Sequence, residues 1–281
     1  MGHSRVVAFA YQNGPMAQTR TVGTTPDDYD AMHRAAQQSP LLHELWARAM
    51  GDEYPAGVEP TSSCSWWLLG HAVSALRLRP DARLVDLGCG RGGPGLWLAR
   101  ALSVRLTGVD FSAAAVEIAA QRTRDYVAPD RAEFRQGSFE RTGLPDRYAD
   151  GLLSVDALPF SPDRQAALGE AARVLAPGGR FVLTVREQPA DADSWPTMAT
   201  AAGFDVERIL DNTEHDGFWQ RLFASYPENA VALRAELGER AGDNLILEAE
   251  LSLAKGFPTR PAQLLVLRRS RDDDSDPKDD K

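Results

Sequence analysis

Leu84-Val85-Asp86-Leu87-Gly88-Cys89-Gly90-Arg91-Gly92-Gly93-Pro94-Gly95 reads as a buried strand that runs into a glycine loop, with a helix beginning where the glycines end. Glycine lets the backbone turn sharply and lets a ligand approach the main chain. The helix start offers free N–H groups and the positive end of a dipole. Twenty-two residues after Gly88, at the end of the next apolar stretch, stands Asp110. An acid there can accept both ribose hydroxyls of a nucleoside. Outward from this stretch the chain alternates. Arg83–Leu87, Val104–Val109, Ala132–Gln136, Gly151–Val155, Gly179–Val185 and Phe204–Leu210 read as strands. Gly95–Leu102, Ala113–Arg124, Asp163–Leu175 and Ala192–Ala202 read as helices between them. Such alternation predicts a parallel sheet with helices on both faces.

The alternation stops at both ends. Before it, helices begin at Pro26 and Pro40, and a third spans Ser63–Leu78. After it, His215–Ala254 is wholly helical, restarted by Pro227 and punctuated by Gly238 and Gly242, and Gln263–Leu267 is a last apolar strand. The expected division is a flexible segment 1–25, a helical lid 26–60, a core 61–213, a helical cap insert 214–254, a final core strand in 255–270 and a disordered acidic tail 271–281 (RDDDSDPKDDK). Met1 and Met16 are both possible starts.

The 281 residues are 43% apolar and 25% charged, an ordinary globular composition that excludes disorder or collagen as the whole account. The net charge of −9 argues against a nucleic-acid partner. Only Cys64 and Cys89 are cysteines, neither in a CxxC pair, so no metal site and no disulfide framework is expected. No apolar run is long enough to span a bilayer, so the expectation is a cytoplasmic protein, monomer or homodimer, without a membrane partner. Lysine occurs only at 255, 278 and 281. The arginine bias suggests a GC-rich bacterial genome.

Gly88-x-Gly90-x-x-Gly93 would pass as a dinucleotide fingerprint, which makes an NAD-dependent oxidoreductase one reading. Asp86 argues against it. A carboxylate at the mouth of the loop would repel a pyrophosphate and favour a ligand bearing positive charge. S-adenosylmethionine, with an ammonium, a sulfonium and no phosphate, fits Asp86-x-Gly88-x-Gly90-x-Gly92 better.

Four motifs, VDLGCGRGG (85–93), GVDFS (108–112), QGSFERTGLP (136–145) and ARVLAPGGRFVLT (172–184), occur in order. Through them the chain resembles the class I S-adenosylmethionine-dependent methyltransferases, and within these the ubiquinone/menaquinone type and its natural-product relatives. The resemblance implies a Rossmann-like seven-stranded sheet with the last strand antiparallel. It places Gly88, Cys89 and Gly90 under the methionine part of the cofactor, Asp110 on the ribose and Phe111 beside the adenine. Gly137, Ser138 and Phe139 fall on the adenine's other side, although an acid is frequent where Ser138 stands. It puts Ser154 and Asp156, at the end of the fourth strand, near the transferred methyl.

Methyl transfer needs a base only where the nucleophile must lose a proton. His215, in an acidic turn with Asp211 and Glu214 at the start of the insert, is one candidate; Asp156 and Tyr29 are others. His33 is a weaker candidate for the cap lining, and His43 and His71 read as packing or surface residues. Trp66, Phe218, Trp219 and Phe223 are the expected lining of an apolar substrate pocket. The function expected is methylation of a small, largely apolar molecule in bacterial secondary metabolism, with S-adenosylhomocysteine as by-product. A protein that binds the cofactor without turnover is the non-enzymatic rival.

Overall fold

A computed structural model describes residues 26–187, 193–257 and 260–271. The expected segment 1–25 and most of the acidic tail lie outside the described residues. Seven strands form one sheet: β1 Arg83–Leu87, β2 Arg105–Asp110, β3 Ala132–Gln136, β4 Ala149–Ser154, β5 Leu175–Val185, β6 Phe204–Asn212 and β7 Ala262–Arg269. Their order is β3-β2-β1-β4-β5-β7-β6. The pairs among β1 to β5 are parallel, and β7 runs antiparallel between β5 and β6. β5 begins at Leu175 rather than Gly179, because Leu175 pairs with Ala149 before a register shift at the Pro177-Gly178-Gly179 turn.

The strands nearest the centre are apolar on both faces, as parallel strands covered on two sides must be. One face packs on α6 (Arg164–Val174) and α7 (Trp195–Ala201), with Phe181, Leu183, Trp195 and Phe204 fully buried. The other packs on α3 (Trp66–Leu76) and α4 (Gly93–Leu102), around Leu68, Leu84, Leu96 and Leu106. α5 (Ala113–Arg122) lies against β2 and β3. Side-chain oxygens start these helices. Ser65, Ser112, Asp163 and Ser194 each accept a backbone N–H of the first turn.

Beyond the sheet stand α1 (Pro26–Gln37) and α2 (Pro40–Met50) from the N-terminal side, and α8 (His215–Glu228), α9 (Ala230–Leu237) and α10 (Glu239–Lys255) from the insert. Pro227 does not restart a helix; α8 runs through it to Glu228. The two helical groups share a third apolar cluster, in which Leu45, Trp46, Phe218, Leu222, Tyr226 and Ala249 meet. Polar ties join them as well: Ser39 Oγ donates to Glu236 at 2.5 Å, and Arg221 Nε donates to the Ala49 carbonyl at 2.8 Å. Asp30 on α1 accepts the Ser112 hydroxyl at 2.5 Å, which fastens the lid to the start of α5. Among the described residues, no helix is long and apolar enough to cross a membrane, and no three His, Cys, Asp or Glu side chains gather as metal ligands.

Candidate functional site

β1 and β2 deliver the glycine loop and Asp110 to one edge of the sheet, and the loop consumes its own donors. The N–H groups of Gly88 and Cys89 both go to the Val109 carbonyl, at 2.8 and 3.1 Å. That of Gly90 goes to Asp110 Oδ2 at 2.8 Å, and that of Gly92 to the Cys89 carbonyl at 2.8 Å. A pyrophosphate site needs such N–H groups free. These four are not, which separates the loop from a dinucleotide fingerprint of the same spelling. Gly88 has φ +73°, and a Cβ on it would lie 2.3 Å from Ala157 Cβ, so no other residue fits.

Asp86 does not stand at the mouth of the loop. It is 2% exposed and its carboxylate accepts the Gly95 N–H in the first turn of α4. Alternation along β1 turns it under the helix start, where the dipole is positive. Burial, helped by the nearby Asp110 charge, pushes its pKa up to about 7 despite that bond. It is a brace for the loop, and its buried carboxylate does not meet a cationic ligand at the loop mouth. The spent N–H groups carry the distinction instead.

Asp110 is 7% exposed, with Oδ1 on the Ser112 N–H at 2.9 Å and Oδ2 on the Gly90 N–H. Burial raises its pKa, against the three backbone N–H groups that favour the anion. Each oxygen keeps acceptor capacity, so the carboxylate is held rigidly with room for two hydroxyls. Phe111 beside it is 36% exposed and meets the Tyr29 ring edge-on at 5.2 Å. The Phe139 ring lies against Gly88, while Ser138 is exposed and its hydroxyl accepts the Arg141 N–H at 3.2 Å. The Gly137 N–H donates to the Asp110 carbonyl at 2.9 Å. A fixed carboxylate flanked by an exposed aromatic face and by the spent N–H groups of Gly88, Cys89, Gly90 and Gly92 fits an adenosine that carries no phosphate.

Other candidates fall elsewhere. Ser154 is fully buried; its hydroxyl donates to the Leu87 carbonyl at 2.8 Å and accepts the Leu158 N–H, so it joins β4 to β1 rather than touching a ligand. Cys89 is buried and burial pushes its thiol up, so it contributes backbone only. Asp156 has φ +50°, and both its oxygens are taken, by the Ser63 N–H at 2.5 Å and the Thr184 hydroxyl at 2.9 Å. It ties the segment before α3 to the end of β5, a bracing position for its carboxylate. His215 is engaged at both nitrogens. Nε2 accepts the Trp219 indole N–H at 3.1 Å, which leaves Nδ1 to donate to Asp216 at 3.0 Å. Arg186 closes the same cluster, and its hydrogen bond and that of His215 hold the Asp216 carboxyl below its usual value although burial opposes them. The acidic partner is thus Asp216, not Asp211 or Glu214, and His215 pins α8 to the end of β5 instead of serving as a base.

Trp66 is 41% exposed and its ring meets Trp97 of α4, away from the aromatic residues of the insert. Phe218 and Phe223 are buried in the lid–insert core. Trp219, half-buried against Trp46 at 5.5 Å, retains an accessible face.

His33, the weaker cap-lining candidate, lies on α1 over the loop, its Cε1 3.8 Å from where a Cβ of Gly90 would be, and burial, with the Arg91 charge, lowers its pKa to about 4. Two groups escaped sequence reasoning. Glu248 on α10 is half-buried and has no hydrogen-bond partner among the described residues; burial raises its pKa to about 7, and Tyr29 and Tyr226 feel its charge. Arg91 is buried within the loop itself. A surface cavity of about 210 Å³ between the end of α5 and the start of β3 lies away from all of these.

Residues 85–183 match the family profile of the methyltransferase domain. Over those residues the chain carries a methyltransferase domain. It is similar to 27-O-demethylrifamycin SV methyltransferase of Amycolatopsis mediterranei, 33% identical over 144 residues, covering 51% of this chain and 53% of that protein. The chain thus spans about half the length of that relative. Among solved structures it resembles the [4+2]-cyclase SpnF, with TM-score 0.64 and 23% identity over 85% of this chain and 96% of that one. It also resembles Haemonchus contortus phosphoethanolamine N-methyltransferase 2 in complex with phosphomonomethylethanolamine and S-adenosylhomocysteine, with TM-score 0.63 and 15% identity over 87% of this chain and 60% of that one. Both structural likenesses show the methyltransferase fold.

Proposed function

We propose that this protein transfers the methyl group of S-adenosylmethionine to a small, largely apolar molecule in bacterial secondary metabolism. The observation that carries the reading is the glycine loop. Its N–H groups at Gly88, Cys89, Gly90 and Gly92 are spent on Val109, Asp110 and Cys89, and the Asp110 carboxylate is fixed beside the exposed Phe111. The name of the rifamycin-type relative supports a natural-product acceptor with a hydroxyl group. The bound cofactor would supply a methyl on a sulfonium, which leaves as a neutral thioether. The chain's task is then alignment and exclusion of water. Asp110 orients the ribose, Gly88 and Gly90 allow close approach, and α1, α2 and α8 to α10 roof the site. In that roof Glu248 and Tyr29 are polar groups among apolar ones, suited to orient an O–H or N–H of the acceptor.

Calorimetry with S-adenosylhomocysteine and NAD tests the cofactor. Binding of the first and not the second is expected, and the reverse would overturn the reading. Transfer from methyl-labelled cofactor to a panel of hydroxylated apolar metabolites tests turnover. Tight cofactor binding with no labelled product across the panel would favour the non-catalytic rival.

A further inference from the structure

α10 carries four acidic residues, and their surroundings differ. Glu239 and Glu250 are exposed, and Asp243 accepts the Arg234 Nε–H at 2.8 Å. Glu248 is half-buried between the buried Leu247 and Ala249. Helical periodicity sets Gly242, Ile246 and Ala249 on the packed stripe. Glu248 falls on the flank of that stripe, near Leu245 and Ser252, which are half-buried as well. It lies deep among the atoms of the roof, where burial raises its pKa to about 7, yet it keeps accessible surface. Its oxygens are not among the occluded unpartnered atoms of the roof, of which His43 Nε2 is one. A carboxylate that is deep but reachable lines a cleft rather than a packed core.

That cleft adjoins the nucleoside site. α10 packs on α1, α8 and α9. From α1, Tyr29 feels the charges of both Glu248 and Asp110, and its ring meets Phe111 at 5.2 Å. From α8, Tyr226 feels the Glu248 charge. Burial raises both phenols, so both are neutral at neutral pH. Charged side chains of the same helices are engaged elsewhere: Asp30 by Ser112, Arg34 by Glu117, Arg221 by the Ala49 carbonyl, Arg234 by Asp243 and Glu236 by Ser39. Burial alone sets the state of Glu248, with no cation to offset it. An ionised carboxylate left in that condition is costly, and a ligand that brings a donor proton or a positive charge relieves the cost.

Methylation of a hydroxyl releases a proton, and the other titratable groups at this edge are poorly suited to take it. Asp156 braces Ser63 and Thr184, and His215 is engaged at both nitrogens. His33, held at about 4, is a weak proton acceptor and stands over the glycine loop. A group whose pKa lies near the working pH serves best as a base.

We propose that Glu248 is the general base of the acceptor chamber, its carboxylate receiving the hydroxyl proton of a neutral alcohol or phenol. The assignment rests on the function proposed above and narrows its acceptor class. As the acceptor oxygen bonds to the methyl carbon, the carbon–sulfur bond breaks and its electron pair stays on sulfur. Glu248 takes the acceptor proton in that step and gives it to water after the product leaves. The sulfonium charge and the carboxylate charge disappear together, which a chamber of low dielectric favours.

Placement is tested with the cofactor pair alone. S-adenosylmethionine carries a positive charge that S-adenosylhomocysteine lacks, so an ionised carboxylate in the chamber favours the former. Calorimetry measures both affinities at about pH 6 and about pH 8.5 for wild type and for the isosteric Glu248→Gln. Between these pH values the wild-type preference should move toward S-adenosylmethionine by about fivefold or more beyond any movement in the variant. The variant subtracts other groups that titrate in this range, such as Asp86 and the amino groups of the ligands. Equal pH dependence in both proteins would overturn the proposal and leave the cofactor reading intact. Proton transfer is tested on a hydroxylated apolar metabolite that wild type methylates. Glu248→Gln should lower kcat by roughly 10²–10⁴-fold and flatten the rise of kcat/KM through neutral pH, with cofactor KM changed less than about threefold. A loss of kcat below about tenfold would also overturn the proposal. With a wild type that methylates nothing on the panel, the pH-dependent preference still supports the placement and its absence still overturns it. Wild type blind to both nucleosides would remove the cofactor reading and this proposal together.

Discussion

At the edge of β1 and β2, polar groups are spent before any ligand arrives. Asp86 holds Gly95, Asp110 holds Gly90 and Ser112, and the loop amides close on Val109 and Cys89. In the roof built by α1, α2 and α8 to α10 the balance is reversed. Its helices are held by an apolar cluster around Trp46, Phe218 and Tyr226, while among the described residues His43 Nε2 is buried without a partner and burial raises the pKa of Glu248. The loop gains precision from preorganisation, because donors and acceptors fixed in advance need no rearrangement on binding. The roof can repack around different acceptors, because apolar contacts are not directional.

The sharpest way to break this contrast is at Gly88. Gly88→Val would force a branched side chain into a left-handed backbone and against Ala157 and Phe139. Cofactor affinity should fall by on the order of 100-fold or more, measured by calorimetry. An unaffected variant would mean that the loop is not rigid. Next comes the roof. Phe218→Ala should cost about 3–5 kcal/mol of stability in denaturant unfolding, as large-to-small changes in a packed core do. If roof and loop are separate devices, the folded fraction should keep its affinity for S-adenosylhomocysteine. A parallel collapse of affinity would merge the two regions. Asp110→Ala should weaken cofactor binding by about 1.5–3 kcal/mol, the range for hydrogen bonds to a charged group. Unchanged affinity in calorimetry would place the ribose elsewhere.

Glu248 gives a pH-dependent signature of the roof. Its folded pKa of about 7 lies above the unfolded value near 4.5. Below both values it contributes nothing. As pH rises between them, the unfolded chain loses its proton first, so the folded state is progressively penalised. Glu248→Gln should therefore be more stable than wild type by about 1–2 kcal/mol at pH 8, with the difference gone below about pH 4.5. Denaturant curves at the two pH values check this, and a pH-independent difference would mean a packing effect. The smallest effect is expected at His215. His215→Ala should change turnover by less than about tenfold, against the 10²–10⁴-fold share of a general base. A larger loss with an altered pH–rate profile would restore it to the chemistry.

The same division governs what could be read from sequence. The core strands follow from motifs in which each residue answers to its neighbours: LVDLG must turn, GVD must end a strand, PGG must break before β5; the antiparallel β7 follows from the family resemblance alone. Asp110 was legible because a carboxylate at that distance from a glycine loop has few other uses. Asp86 was misplaced because spacing does not reveal on which side of the strand the carboxylate lies. His215 looked free beside Asp211 and Glu214, yet its partners are Asp216 and, one turn on, Trp219, and Arg186 from the end of β5 closes on the same Asp216 carboxylate. Glu248 sits in the helical sequence LILEAEL (245–251), where any solvated face would look alike. Its burial depends on α1 and α8 packing across it, which no local pattern encodes.

β7 lies between β5 and β6 in the sheet but is made after both. During synthesis β5 therefore presents an open edge until residues 262–269 emerge, and β6 has no neighbour to pair with. Chains generally fold as they are made, from the N-terminal side onward. Five parallel strands with the glycine loop can assemble first, while β6 and the helices that follow it wait. The exposed β5 edge, Phe181-Val182-Leu183-Thr184-Val185, is an apolar strand of the kind that pairs with stray chains. Vectorial synthesis would thus make the interval before β7 appears the period of greatest aggregation risk.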